Sequence, residues 1–430
     1  MTKPESESEL DRVQLNNEWH ARPVANMATP CRCTHQVIRR KISASDSRAR
    51  FAQLCGQYSQ AAPSAQSRHH MVQIGTALVK WEGHTEADSI THLIPGNASP
   101  LFSEHAAHFT PADLIQCFGD EIICGVHIEV FKQSKDDMDL ETIKATLGSN
   151  EIFGGPIADG NAALWSSFRL DAEGYARIVM VDHSLPPSAV GRYLQRIVES
   201  ESYRLQAMSA LPLARQTMAA LTVLEEELEP LMNQLTRAGD DIDHELLLTD
   251  LSHMAARIEH LAAESSYRFA AARAYSQIVQ QRLKELREER VLTQPRYSMF
   301  LQRTLQPAMR TCEAAERRIE ELAQRVSRAL TLLNSMVDMI QTRQTNAMMR
   351  TMSQNAQIQV RLQQAVEGFS TFVISYYALG ILSYVLVGLE AAGYLPFDPK
   401  LILAATAPLL LASVWFMSRK LRKRLTGELK

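Results

Sequence analysis

The chain has little net charge: 45 Lys and Arg stand against 48 Asp and Glu in 430 residues, a formal −3. Such a balance gives no field to draw in nucleic acid, so none is expected as a partner. An apolar leader is missing too, because residues 1–10 are acidic and polar, which argues against a cleaved signal peptide. There is no disulfide pattern. The six cysteines, Cys31, Cys33, Cys55, Cys117, Cys124 and Cys312, are scattered and fit free thiols in a reducing compartment. Phe153-Gly154-Gly155-Pro156 lacks the Lys-Ser/Thr of a phosphate loop, and no serine sits in a nucleophile elbow, so no enzymatic activity is expected.

Charge is also absent from two C-terminal stretches, residues 369–389 and 401–417. The first, about 21 residues at ~1.5 Å each, can cross a ~30 Å hydrocarbon layer, and the second is at the short end of that range. One Arg or Lys in mid-span would cost roughly 2.5 to 3.5 kcal/mol, so two charge-free runs this close read as a membrane hairpin. Arg419, Lys420, Arg422, Lys423 and Arg424 follow the second run, whereas the link opposes Lys400 with Glu390 and Asp398. Positive residues resist translocation, so the tail is expected in the cytoplasm and an even number of spans returns the N-terminus there. The expectation is a two-span inner-membrane protein with the lipid bilayer as a partner. Tyr394 and Phe397 suit the outer interface, Trp415 and Phe416 the inner one. The alternative is a buried helical hairpin of a soluble domain.

The rest divides by pattern into an N-terminal latch at 1–23, an α+β domain at 24–187, a helical coiled-coil stalk at 188–368, the hairpin at 369–417 and a basic tail at 418–430. Residues 71–81, 122–131, 162–170 and 176–181 are rich in Val, Ile and aromatics and predict strands, the last two joined antiparallel through Asp171-Ala172-Glu173-Gly174. Thr110-Pro111-Ala112-Asp113 predicts a Thr-capped helix with Pro in its first turn, and residues 140–147 predict another that stops at Gly148. Beyond Pro187 the strand signal vanishes. Breaks at Leu211-Pro212, Ala238-Gly239-Asp240-Asp241 and Thr293-Gln294-Pro295 leave helices of roughly 25, 50 and over 60 residues, the longest open to a kink at Pro307.

In that longest helix Ile319, Leu322, Val326, Ala329, Leu333, Met336 and Ile340 alternate spacings of three and four, a coiled-coil seam. Its partner is either an antiparallel helix of the same chain or neighbouring subunits in a homo-oligomer. Past it come Gln341, Gln344, Asn346, Gln354, Asn355, Gln357, Gln359, Gln363 and Gln364, an amide stripe that either lines a hydrated core below the bilayer or faces solvent. Gln359, Gln363, Glu367 and Gly368 mark the entry into the membrane. Within the first span Tyr376, Gly380, Tyr384 and Gly388 recur every four residues, a close-packing face rather than a conduit. Pro408 frees one carbonyl in the second span, and without intramembrane charge a proton relay is disfavoured.

Alternation along a strand puts Glu82, His84 and Glu86 on one side, and likewise His127 and Glu129. If those strands pair, His84, Glu86, His127 and Glu129 converge as ligands for a divalent cation; otherwise they form a polar sheet surface. Cys31, Cys33 and His35 share a side as well, but three local ligands are short of a structural zinc site and free thiols are the simpler expectation.

At Asn17-Glu18-Trp19-His20-Ala21-Arg22-Pro23 the chain resembles a bacterial family of uncharacterised membrane-anchored proteins that carry a Glu-x-His-Ala-Arg-Pro motif. Further resembling pieces are His84-Thr85-Glu86, Trp165 with Phe168-Arg169, Gly191-Arg192, Gln195-Arg196, Glu201 with Tyr203-Arg204, Leu211-Pro212, Val366-Glu367-Gly368-Phe369-Ser370 and Ser375-Tyr376-Tyr377. Ala87 departs from an expected aromatic and Ser166-Ser167 from Thr-Asp. The family brings no activity with it. An extended Arg22-Pro23 aligns Glu18, His20 and Arg22 either as a buried latch or as a ligand-binding triplet. The order of parts, an α+β domain, a long helix entering the first of two spans and a basic tail, is similar to the CorA-type divalent-cation channels, which assemble as pentamers. That likeness implies cation transport, with a divalent cation as ligand; the channels' Gly-Met-Asn signature is absent, Gly388-Leu389-Glu390-Ala391-Ala392-Gly393-Tyr394 standing in its place. The competing expectation is a membrane-tethered scaffold or sensor that binds proteins through its coiled coil.

Overall fold

A computed structural model describes residues 24–64, 67–84, 86–119, 121–135, 139–237, 243–291, 294–393 and 398–427. The chain divides into two units, 1–330 and 331–430.

The first unit is built on one eight-stranded sheet: β1 (Cys31–Arg39), β2 (His69–Ile74), β3 (Ala77–Gly83), β4 (Ala87–Pro95), β5 (Ile122–Lys132), β6 (Phe153–Ile157), β7 (Ala162–Leu170) and β8 (Ala176–Asp182), in the order β2-β3-β4-β1-β5-β8-β7-β6. Every neighbouring pair is antiparallel except β5 and β8, which run parallel from Val126↔Ala176 to Lys132↔Asp182. The α+β expectation and the antiparallel β7–β8 hairpin are both present. The run at 71–81 is two strands rather than one, split at Gly75, whose φ of 60° supplies the turn. Three strands, β1, β4 and β6, were not anticipated.

The helices that come first among the described residues are α1 (Ala44–Gln57), α2 (Asp113–Gln116), α3 (Leu140–Leu147), α4 (Pro187–Met208) and α5 (Leu211–Thr236), with a 3-10 turn at Ala106–Phe109. Then come α6 (His244–Glu285), α7 (Tyr297–Ala391) and α8 (Pro399–Gly427). Asp139 caps α3 through the amides of Glu141 and Thr142, and Gly148 ends it at φ 62°. Thr110 does not cap α2; its hydroxyl bonds the Ala107 carbonyl at 2.8 Å and faces His92. Helix α7 passes through Pro307 without ending.

Each sheet face has its own cover. The first face, with Cys31, Cys33, Val126, Ile128, Ile178 and Met180, lies in one core with α4, α6 and the start of α7. At Gly191 of α4 an added Cβ would fall 1.7 Å from the Ala25 carbonyl oxygen, so the segment before β1 can lie across α4 only because glycine stands there. Met27 and Ala25 are buried, and Thr29 bonds Asp182 at 2.6 Å. The second face carries two separate apolar clusters. One joins Val79, Trp81 and Ile90 to Phe51 and Leu54 of α1; the other joins Trp165, Val179 and Val181 to Ile143 and Leu147 of α3.

The seam on α7 is buried at Ile319, Leu322, Val326 and Ala329, and Arg318 beside it grips Glu225 of α5 at 2.5 and 2.8 Å while Arg273 of α6 pairs with Glu316. That part of the seam therefore packs inside the chain. In the second unit, residues 341–366 are exposed on every side of α7. The last part of α7 and the Pro399–Met417 part of α8 are, by length and composition, apolar enough to cross a membrane, and few of their residues are buried.

Candidate functional site

Between the two apolar clusters of the second face runs a polar strip contributed by the central strands. Register places Arg32 opposite Ile94 and Glu129, Thr34 opposite His92 and His127, and Gln36 opposite Ile90 and Gly125. All these polar residues are buried. The strip is closed over by the loop at 104–110 and by the β7–β8 turn. Arg32 donates to the Glu104 carbonyl at 2.8 Å and lies over the Phe109 ring, and Gln36 donates to the Tyr175 hydroxyl at 2.6 Å. Gly125 leaves the space that Tyr175 fills, since a Cβ there would meet the ring at 2.6 Å.

The strip's centre is a stack of three rings. His127 lies between His105, whose centroid is 3.5 Å away at 3°, and Tyr175, 4.2 Å away at 14°. Thr34 Oγ1 meets His127 Nδ1 at 3.0 Å, while the other nitrogen, Nε2, is buried with no partner among the described residues. Asp171 sits beside them, its Oδ1 accepting the amides of Glu173 and Tyr175 and its Oδ2 accepting Arg177 at 3.2 Å. One ligand atom each from His105, His127 and Asp171 lie within 4.8 Å of one another. Burial, followed by the neighbouring His105, pushes the His127 imidazole down to about 3, and burial lowers His105 as well. Both rings are thus neutral near pH 7, the form that offers a lone pair. Asp171 is held low by the Tyr175 and Glu173 amides against the opposing effect of burial. Burial raises Glu129, whose Oε1 accepts the Phe102 amide at 3.2 Å and whose Oε2 has no hydrogen-bond partner among the described residues.

The four residues expected to converge do not. β3 and β5 are not neighbours, because β4 and β1 separate them, so the pair at the end of β3 stays apart from His127 and Glu129. His84 instead meets Ser89 at 3.2 Å and the edge of Tyr203, and Glu86 pairs with Arg268 at 2.7 Å. His127 and Glu129 do share a face, yet it is buried rather than a solvated surface. The partners that His127 has, His105 and Asp171, come from a loop and a turn whose sequence gives no metal-ligand spacing. Asp171 was legible only as turn chemistry.

His84 borders a cavity of about 190 Å³ on the first face, lined also by His35, His69, Glu82, Ser202 and Tyr203. Ser202 donates its only hydroxyl proton to the Val198 carbonyl at 2.6 Å, so at 2.7 Å His35 Nε2 must donate to Ser202, and Nδ1 accepts from Thr91 at 2.8 Å. This is the reverse of a base activating a nucleophile. Burial drives His35 down to about 3. Cys31 and Cys33, on the same strand side, are free thiols in the apolar core, Cys31 pushed up to about 12 chiefly by burial.

Glu201 is buried and accepts from Tyr297 at 2.6 Å and from Arg204 at 2.5 Å, and Arg196 pairs with Glu285 at 3.2 Å. Glu18, His20, Arg22, Pro23 and the Glu367 side chain lie outside the described residues. Gln359 and Gln363 are exposed, and Gly368 has open space around it. Tyr376 and Tyr384 are exposed, and Cβ atoms at Gly380 and Gly388 would meet nothing within 4 Å. Among the described residues the expected packing face therefore meets no other part of the chain. The less exposed face of that span is Ser375, Leu379, Leu382 and Leu386 instead.

A family model described as "Protein of unknown function (DUF3422)" matches residues 7–425, and the chain belongs to that family. No curated protein matches it.

Proposed function

We propose that this member of the family is one subunit of a homo-oligomeric inner-membrane assembly, similar to the CorA-type channels, that passes divalent cations through a pore formed by its first span. In this reading both termini are cytoplasmic, α7 carries the stalk into the bilayer, and the tail of α8 holds the hairpin by its positive charge. The observation that carries it is the condition of α7 ahead of the span. Met348, Met349, Met352, Ile358, Val360, Leu362 and Val366 are 54% to 69% exposed in a single chain. Removing such a side chain from water stabilises by up to about 1.5 to 3 kcal/mol, so identical helices have reason to gather there. The amides interleaved with them supply carbonyl oxygens that can replace part of a cation's hydration shell without a fixed charge to trap it. Arg350 and Arg361 are the only charged residues from 349 to 366.

Full-length protein reconstituted into liposomes loaded with a magnesium-sensitive dye should report uptake, and native mass spectrometry in detergent should report a ring of subunits. A monomer or dimer with silent liposomes refutes the proposal. A ring with silent liposomes transfers support to the scaffold or sensor role.

A further inference from the structure

We propose that His105, His127 and Asp171 form a binding site for a single borderline transition-metal ion, of the zinc class, in the sheet domain. Three features of the site argue for a ligand. The first is its donor set: two imidazoles and a carboxylate, with ligand atoms within 4.8 Å of one another, drawn from a loop, a strand and a turn. Two nitrogens and one oxygen with room for a further ligand are a common arrangement for zinc and its neighbours, and unlike the all-oxygen shells of magnesium or calcium. The second is an unanswered group. His127 is 3% exposed, and its Nε2 has no hydrogen-bond partner among the described residues, although buried polar atoms nearly always find one.

The third is the support behind the ligands. In the tautomer whose Nδ1–H donates to Thr34 Oγ1, 3.0 Å away, the Nε2 lone pair of His127 is bare, which is the usual way an outer hydroxyl or carbonyl fixes the tautomer of a metal-bound imidazole. Tyr175 clamps the ring from one side. Asp171 is immobilised by two backbone amides, and a carboxylate has enough lone pairs to keep Arg177 while adding an ion. His105 is the adjustable member. Parallel rings cannot both aim their in-plane lone pairs at one ion, so coordination turns His105 out of the stack. It has no clamp like that of His127 and lies next to exposed His108, at 5.3 Å between centroids. Glu173, 3.9 Å from His105 Nε2, or water fills the remaining position.

The test uses untagged full-length protein in detergent, stripped with chelator, with Zn²⁺ alone and then Co²⁺ alone as probes. Wild type should take up about one equivalent, and the cobalt form should show visible d–d bands without a thiolate charge-transfer band, as nitrogen and oxygen ligation requires. His127→Gln and His105→Gln should abolish uptake, and Thr34→Val, which keeps the shape but removes the outer partner, should weaken it roughly 10- to 100-fold. If His127→Gln fails to fold, His105→Gln, altered in a loop, decides. Wild type without uptake, uptake unchanged in His105→Gln, or a thiolate band overturns the assignment. None of these readouts involves transport, so the site stands or falls apart from the channel proposal.

Discussion

Asp88 is fully buried at the start of β4 and gathers four hydrogen bonds: Oδ2 accepts Arg40 Nε and Ser47 Oγ at 2.8 Å each, and Oδ1 accepts a second Arg40 nitrogen at 2.9 Å and Trp81 Nε1 at 3.0 Å. Asp88→Asn keeps the volume and removes the charge. The new NH₂ group must stand at one of the two oxygen positions. On the Trp81 side it would confront an indole N–H that can only donate, so it goes to the other side, where Ser47 can turn to accept. There it meets Arg40 Nε–H, a donor that cannot turn. The guanidinium, only 6% exposed, then loses the Asp88 carboxylate charge and one arm of its fork. Removing one partner of a buried ion pair typically costs about 3 to 5 kcal/mol, because the other charge is left desolvated. Urea unfolding of the full chain in detergent, followed by tryptophan fluorescence, should show a loss in that range, with Ser47→Ala costing much less, about 1 kcal/mol. A loss for Asp88→Asn below about 1 kcal/mol would mean that Arg40 reaches water and that the pair is not the anchor of this corner.

Two further outcomes are expected in solution. His35 and His127, held to about 3, and His92, held to about 4, are neutral when folded and titrate near 6.5 when unfolded. Their lowered values give stability that is present above about pH 6.5 and lost as pH falls towards 4, up to about 4 kcal/mol per pH unit for three protons, with Glu129 opposing it; a urea midpoint that stays flat from pH 7 to 5 contradicts this. Gly125→Ala drives a methyl into the Tyr175 ring and should cost roughly 1 to 3 kcal/mol, read as a lowered urea midpoint, whereas Gly174→Ala meets no atom within 4 Å but is strained at φ 87° and serves as the backbone comparison.

Much of the framework was legible because some residues answer to one neighbour only. Gly148 stops α3 whatever surrounds it, and Asp171-Ala172-Glu173-Gly174 turns β7 into β8 by local hydrogen bonds. β1 and β4 were not, because both of their sides are buried and one side carries Arg32, Thr34, Gln36 and His92. Polar alternation in such a strand looks like a loop or a solvated edge until the second cover is known. β6 hid behind its glycines and proline; Gly154 is needed where a Cβ would sit 1.9 Å from the Leu164 carbonyl oxygen. The histidine stack depends on three distant segments, and only His127 stood in a recognisable strand.

The lone parallel ladder between β5 and β8 has a consequence for how the domain is made. Pairing among β1 to β5 calls on no strand made after Lys132, but until β8 follows, the outer rim of β5 has no partner strand. Only β8, synthesised after β6 and β7, seals it. Until then the nascent domain exposes a bare rim of the kind that recruits other chains. The stretch carrying α3 and the β6–β7 hairpin therefore lengthens the interval in which each new molecule is vulnerable to aggregation.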